Sequence, residues 1–235
     1  TKLKTIDIAN NHLKSVTLGT NTSVSTIYLQ NNELASVDLS KETSLVNLYV
    51  NGNKDLSSLN LSNCAKLTTL NASGTKISTL DFSSCPKVDQ LIADDCTSLS
   101  TLKLPSNPNL MIASFNNTAL TSLDVSKCTN LNYLSCSNSK LTSLKLPSDS
   151  MALTELKCEN NRLNSLDVST LYYLMNLSCS GNNISELKIG SMFLSAELGI
   201  AGNIADGNPT VSGNTVSYKG DYGGSELYLK VDKFT

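Results

Sequence analysis

The chain has 235 residues, 40% of them hydrophobic, and a formal net charge of −2, which fits one or two domains. With a sequence pI near 5.4 and Arg162 as the one arginine, there is no electrostatic footprint for nucleic acid. No apolar run approaches the roughly 18 residues of a membrane-spanning helix, so no membrane insertion is expected in this segment. The N-terminus also lacks a basic stretch followed by an apolar one. If the protein is exported, its signal has been removed or lies upstream of Thr1.

Self-similarity dominates the sequence. The phrase Leu-x-x-Leu-x-Φ-x-x-Asn-x-Leu-x-x-Leu-x-Φ, with Φ apolar, begins at Leu3, Val24, Leu45, Leu67, Val88, Leu110, Leu131, Leu153 and Leu174. We number these copies as coils one to nine. Every interval is 21 or 22 residues, a regularity that unrelated loops and strands would not keep. Each copy carries its short motif twice, as in Leu131 to Cys136 and Leu141 to Leu146, so two short strands per coil are expected. One coil cannot fold alone. Its six apolar positions contribute about 1.5 to 3 kcal/mol each when buried, whereas ordering some twenty residues costs roughly 1 to 2 kcal/mol apiece. Stacking must supply the difference. At about 4.8 Å per rung, nine coils would make a rod or shallow arc on the order of 45 Å long.

Core positions compensate in volume. Ala113 shares a coil with Phe115, and Ala72 with Phe82, so each phenylalanine is expected to fill the space its alanine leaves. Position nine holds Asn11, Asn32, Asn53, Thr75, Cys96, Thr118, Ser139, Asn161 and Asn182. An inward amide there can bond the backbone of its own coil and the next, removing the penalty of burying unpaired peptide groups.

The seven cysteines fall into register. Cys136, Cys158 and Cys179 occupy equivalent core positions, while Cys64, Cys85 and Cys128 share a turn position after the second strand. Stacked side chains point the same way, and rung spacing alone does not give disulfide geometry. Reduced thiols packing as small hydrophobes are expected; the adjacent Cys64 and Cys85 are the pair that would contradict this. A metal site is not expected, since there is no Cys-x-x-Cys and the one histidine, His12, lies far along the array. No cofactor is expected either.

After Ile189 the pattern fades, although Leu198, Ile200 and Asn203 fall at positions four, six and nine of a degenerate tenth coil. Thr210 to Tyr218 and Glu226 to Asp232 alternate apolar and polar residues around Gly220, Gly223 and Gly224, and read as antiparallel strands. They would cap the exposed last rung, or else they begin a further domain. The expected organisation is a nine-repeat solenoid over residues 1–194 and a degenerate coil with a β cap over 195–235.

The doubled motif in a 21-residue register, with cysteine at the sixth position in Leu134 to Asn138, Leu156 to Asn160 and Leu177 to Gly181, resembles bacterial leucine-rich repeats of the internalin J type. Such repeats are also found in surface proteins of the Bacteroidetes. Only three of nine coils carry that cysteine, the others having Ile8, Leu29, Val50, Ala72, Ala93 and Phe115. The expected fold is mostly β: a right-handed leucine-rich-repeat solenoid with short parallel strands on both faces and little or no helix. The resemblance implies recognition or adhesion at a cell surface or outside the cell.

Positions three and five of the first strand point outward on the face that is normally concave in such solenoids. Tyr28 and Tyr49 are consecutive at position five; Ile92 stands at position five, and Ile112 and Tyr133 at position three. These are the candidate ligand-binding residues, because aromatics on a rigid sheet contribute contact area at small entropic cost. The plain alternative is strand propensity. Asp94, Asp95, Glu155 and Glu159 lie nearby and would select a basic partner or keep the face soluble. On the opposite face, Asp81, Lys103, Asp124, Lys145, Asp167 and Lys188 alternate in sign, which should hold the register of neighbouring coils.

Catalysis is not expected. One histidine leaves no Ser or Cys triad, nothing desolvates the carboxylates to separate acid and base roles, and the glycines at 220 to 224 have no phosphate-loop lysine. The reading is a non-catalytic module binding a protein or surface glycan through its first face. The alternative is a passive spacer within a larger surface protein.

Overall fold

The structure is a computed structural model that describes residues 2–19, 23–105, 108–148 and 150–188, together with three strands between 210 and 230. Leu198, Ile200 and Asn203 of the expected tenth coil lie outside the described residues. Strands are numbered in chain order, and the described residues contain no helix. The chain divides into two compact units, Thr1–Leu120 and Thr121–Thr235.

In the first unit, the first strands of successive coils are β1 (Thr5–Asp7), β2 (Thr26–Tyr28), β4 (Asn47–Tyr49), β6 (Thr69–Asn71), β8 (Gln90–Ile92) and β10 (Ile112–Ser114). They pair in parallel, in that order, with each residue opposite its counterpart one coil on. The second strands are β3 (Ser36–Asp38), β5 (Ser58–Asn60), β7 (Thr79–Asp81) and β9 (Thr101–Lys103). The first coil, expected to carry two strands, has one: Lys14 to Leu18 form none.

The second unit holds β12 (Tyr133–Ser135), β14 (Glu155–Lys157) and β16 (Asn176–Ser178) on its first face. On its second face lie β11 (Ser122–Asp124), β13 (Ser143–Lys145), β15 (Ser165–Asp167) and β17 (Glu186–Lys188). Near the C-terminus β18 (Thr210–Ser212), β19 (Thr215–Tyr222) and β20 (Ser225–Lys230) form an antiparallel meander. Its last strand lies parallel to β16, with Leu229 opposite Leu177, so β20 takes the edge that a tenth coil would have used.

Between the faces most leucines of both motif halves are buried, with Leu59, Leu102 and Leu144 of the second strands only partly so, and Phe82, Phe115, Ala72 and Ala113 are fully buried. Position nine works as expected for satisfying the backbone, with one difference in direction. Asn53 Nδ2 donates to Val50 O of its own coil at 2.8 Å and to Leu29 O at 3.0 Å, and its Oδ1 accepts from Leu34 N at 3.1 Å. The cross-coil partners belong to the preceding coil, not the next. Asn182 repeats the pattern on Cys179 O, Cys158 O and Leu163 N.

Position eight, unremarked in the sequence, is left-handed in every coil. Asn10, Asn31, Asp95, Asn117, Asn138 and Asn160 have φ between 52° and 59°, and Gly52, Gly74 and Gly181 between 67° and 74°. Asn, Asp and Gly are the residues that tolerate this region at least strain. Neighbouring side chains then form a ladder, Asn31 Nδ2 donating to Asn10 Oδ1 at 2.8 Å and Asn160 Nδ2 to Asn138 Oδ1 at 2.8 Å.

Candidate functional site

On the first face each strand from β2 to β16 buries its central side chain, and alternation turns the flanking two away from the core, so positions three and five form two rows. In the first unit the row at position five runs Asp7, Tyr28, Tyr49, Asn71, Ile92 and Ser114. Tyr28 and Tyr49 are direct cross-strand partners. Their rings stack with centroids 4.9 Å apart and planes 12° from parallel, an arrangement worth about 0.5 to 1.5 kcal/mol beyond area burial. Both are half-buried. The inner ring faces cover each other, while the outer faces lie towards Asp7 on one side and Asn71 on the other. Thr26 and Asn47 flank the pair at position three, with Asn47 Nδ2 donating to Thr26 Oγ1 at 3.3 Å.

Ile92 and Ile112 do not form one patch by direct pairing. Ile92 lies opposite Asn71 and Ser114, whereas Ile112 lies opposite Gln90. The exposed apolar neighbour of Ile112 is Met111, 47% exposed beside an Ile112 that is 36% exposed. Position two is variable in the sequence, which hid Met111 from a reading based on strand rows. Asp89, at position two of the coil before, has a buried Oδ1 without a partner, and burial pushes its carboxyl above the usual range.

Asp94 is engaged within the array. Its carboxylate accepts Ser114 Oγ at 2.8 and 3.0 Å and Asn116 N at 2.7 Å. A carboxylate so occupied braces coil five against coil six. Asp95 likewise accepts Asn117 Nδ2 at 2.7 Å.

In the second unit Tyr133 lies opposite Glu155, and Ser135 opposite Lys157. Lys157 Nζ sits 2.6 Å from Glu155 Oε1 and 5.6 Å from the centre of the Tyr133 ring, a cation–π arrangement. The hydrogen bond from Glu155 holds the Lys157 ammonium above its ordinary pKa. Glu159 accepts Ser137 Oγ at 2.7 Å. This cluster is therefore satisfied within itself, and Lys157, absent from the sequence-based site, is its centre.

The nucleophiles are arranged against reactivity. All seven cysteines are free and buried. Burial pushes the thiols of Cys64, Cys128 and Cys136 up to about 12 and that of Cys85 to about 11, opposite to the lowered pKa a nucleophilic cysteine needs. His12 contacts Glu33 at 2.9 Å on an exposed surface. Among the described residues no group of three or more His, Cys, Asp or Glu is placed to hold a metal ion, and no helix is long and apolar enough to cross a membrane.

No protein-family model matches the sequence, and no curated protein matches it. Solved structures do. The functional domain of InlJ from Listeria monocytogenes, described as including a cysteine ladder, superposes with a TM-score of 0.65 at 25% identity, covering 80% of this chain and 49% of that one. YopM from Yersinia enterocolitica gives 0.67 at 24% identity, covering 81% and 45%. A leucine-rich-repeat protein from Leptospira interrogans gives 0.52 at 21%, covering 77% and 56%. The chain thus spans about half the length of the structures it resembles.

Proposed function

We propose that this leucine-rich-repeat solenoid is a non-catalytic recognition module, and that it binds a protein partner through the first face around Tyr28 and Tyr49. The stacked pair is the observation that carries the reading. It is a pre-ordered aromatic surface on a regular sheet, flanked by Thr26, Asn47 and Asn71, and pre-ordering reduces the entropy lost on binding. Repeat solenoids use such extended faces for binding. The first face of the second unit, with Tyr133, Lys157 and Glu155 already paired, is the weaker site. The likeness to InlJ supports a cell-surface or extracellular setting.

The test is capture from surface extracts by the protein and by its Tyr28→Ser/Tyr49→Ser variant. Loss of a captured protein with an unchanged thermal midpoint supports the site. Equal capture by both removes it.

A further inference from the structure

The two faces are stitched differently. On the first face of either unit each coil is bonded to the next. Leu29 N to Tyr49 O is 2.8 Å, Val50 N to Asn71 O 2.9 Å, Ala72 N to Ile92 O 2.8 Å and Ala93 N to Ser114 O 2.8 Å, with Cys136 N to Lys157 O and Cys158 N to Ser178 O both 2.8 Å. On the second face the strands occur in separate pairs: β3 with β5, β7 with β9, β11 with β13, and β15 with β17. Within these pairs the equivalent bonds are Leu39 N to Asn60 O, Phe82 N to Lys103 O, Val125 N to Lys145 O and Val168 N to Lys188 O, all between 2.8 and 3.0 Å.

The corresponding bonds from coil three to coil four, Leu61 N to Asp81 O, and from coil seven to coil eight, Leu146 N to Asp167 O, are not formed. What crosses these seams near the second strands is slight. Lys76 N meets Leu56 O at 2.9 Å and Arg162 N meets Leu141 O at 2.8 Å in the turns before the strands, Leu141 N donates to Asn161 Oδ1 at 3.0 Å, Lys76 pairs with Asp55 on the surface, and the Cys85 thiol lies 3.8 Å from Leu61 O.

The side chains follow the same grouping. Asp81 pairs with Lys103 at 3.2 Å and Asp124 with Lys145 at 3.3 Å, each within a strand pair; Asn60 Nδ2 donates to Asp38 Oδ1 at 2.9 Å within another. In the last pair Lys188 lies 3.5 Å from Glu186 of its own strand instead, so the alternation of sign gives two cross-strand ion pairs and not a continuous ladder. In the first pair both turns are capped, Asn60 Oδ1 accepting from Ser62 N at 3.1 Å; in the two Asp–Lys pairs the turns differ. Asp38, Asp81, Asp124 and Asp167 each accept the backbone N–H two residues on, from Ser40, Ser83, Ser126 and Ser169. In the coils of Lys103 and Lys145 that place is held by Pro105 and Pro147, which have no N–H to cap, so the acidic residue is dispensable and a lysine can bridge back to the preceding aspartate. The sequence carries the same period: Val24, Leu67, Leu110 and Leu153, the starts of coils two, four, six and eight, are each 43 residues apart.

We propose that the unit of this array is a two-coil pair, and that the second-face seams between coils three and four and between coils seven and eight are release points. There the chain opens two coils at a time under tension or thermal strain. The first-face ladder and the buried core hold the pairs together until they open. The device allows a surface-held array to yield in steps instead of unravelling strand by strand.

Two measurements on the whole chain test this. Pulling single molecules by their ends should give unfolding steps of 43 residues, about 150 Å of contour at roughly 3.5 Å per residue. Steps of one coil, about 75 Å, or a single all-or-none event would overturn the proposal. Amide hydrogen exchange should show Leu61 and Leu146 exchanging at least tenfold faster than Leu39, Phe82 and Val125. Equal protection at these amides would overturn it as well.

Discussion

Replacing Asn53 probes the internal polar ladder at its most buried point. Its side chain is fully buried and serves three backbone groups: Leu29 O, Val50 O and Leu34 N. The neighbouring coils show which of these can be recovered. Where the next coil offers an asparagine, the position-eleven N–H bonds to it, as Leu163 N does to Asn182 Oδ1. Where the next coil offers Thr75 or Thr118, the coil has one more residue before the corresponding leucine, now at position twelve, and its N–H turns back to its own coil, as Leu56 N does to Asn53 O at 3.0 Å and Leu99 N to Cys96 O at 2.8 Å. In Asn53→Ala, Leu29 O keeps the bond from Asn32 Nδ2 at 3.0 Å, whereas coil two has one residue fewer between Asn32 and Leu34 and cannot make that turn, so Val50 O and Leu34 N are left unpaired at about 1 to 3 kcal/mol each. The expected loss is about 2 to 6 kcal/mol. Asn53→Thr should lose about half of that, because its hydroxyl can donate to Val50 O as Thr75 does to Ala72 O at 2.9 Å. Urea unfolding followed by circular dichroism, with the exposed Asn11→Ala as the reference, reads the order. A loss for Asn53→Ala no larger than for Asn11→Ala would refute the reasoning.

Three further outcomes follow from the same structure. Gly52→Ala should destabilise more than Gly74→Ala: both have positive φ, worth about 1 to 2 kcal/mol against alanine, but a Cβ at Gly52 would collide with Asn31 Oδ1, while none at Gly74 meets anything nearer than 3.8 Å. Equal midpoints for the two variants would count against the position-eight ladder. Acidification should lower the melting temperature from about pH 4 downward. Hydrogen bonds from Ser83 hold Asp81 down to about 2, and those from Ser126 and Ser169 lower Asp124 and Asp167, so their stabilisation is present above the unfolded value and lost as pH falls through the folded one. Asp89, raised by burial, works in the opposite sense; a melting temperature that is flat between pH 4 and 2 would contradict the capping role of the aspartates. Finally, the buried, raised thiols should resist a thiol reagent at pH 8 in the native protein and all seven should react in denaturant. Fast native reaction, or fewer than seven free thiols, would contradict the cysteine assignment.

The coils, their core and the position-nine ladder were legible because each is written once per repeat in residue type. Tyr28 and Tyr49 were legible as neighbours, since a 21-residue interval puts them in one row; that their rings stack face to face was not. Position eight was equally visible, as an unbroken series of Asn, Gly and Asp, but its meaning depends on backbone angles that hydrophobic periodicity does not report. From coil four to coil seven the two-coil grouping was present in the alternation of Asp-x-Ser with Lys-Leu-Pro at the second strand, and it was obscured because sign alternation alone suggests a uniform ladder. Nothing in residue type distinguishes Asp94, clasped by Ser114 and Asn116, from a free acidic group. The same holds for Glu155, which the side chain of Lys157 occupies. The C-terminal strands were legible from their alternation, but the pairing of β20 with β16 was not: β20 comes from some fifty residues further along the chain, beyond the reach of a repeat register.

The central claim is that the first face of the first unit meets the partner. A photoreactive amino acid placed at Asn71, beside Tyr49 in the same row, should become covalently joined to a captured protein on irradiation, while the same group at Thr101 on the second face should not. Adducts at Thr101 with none at Asn71 would contradict the account.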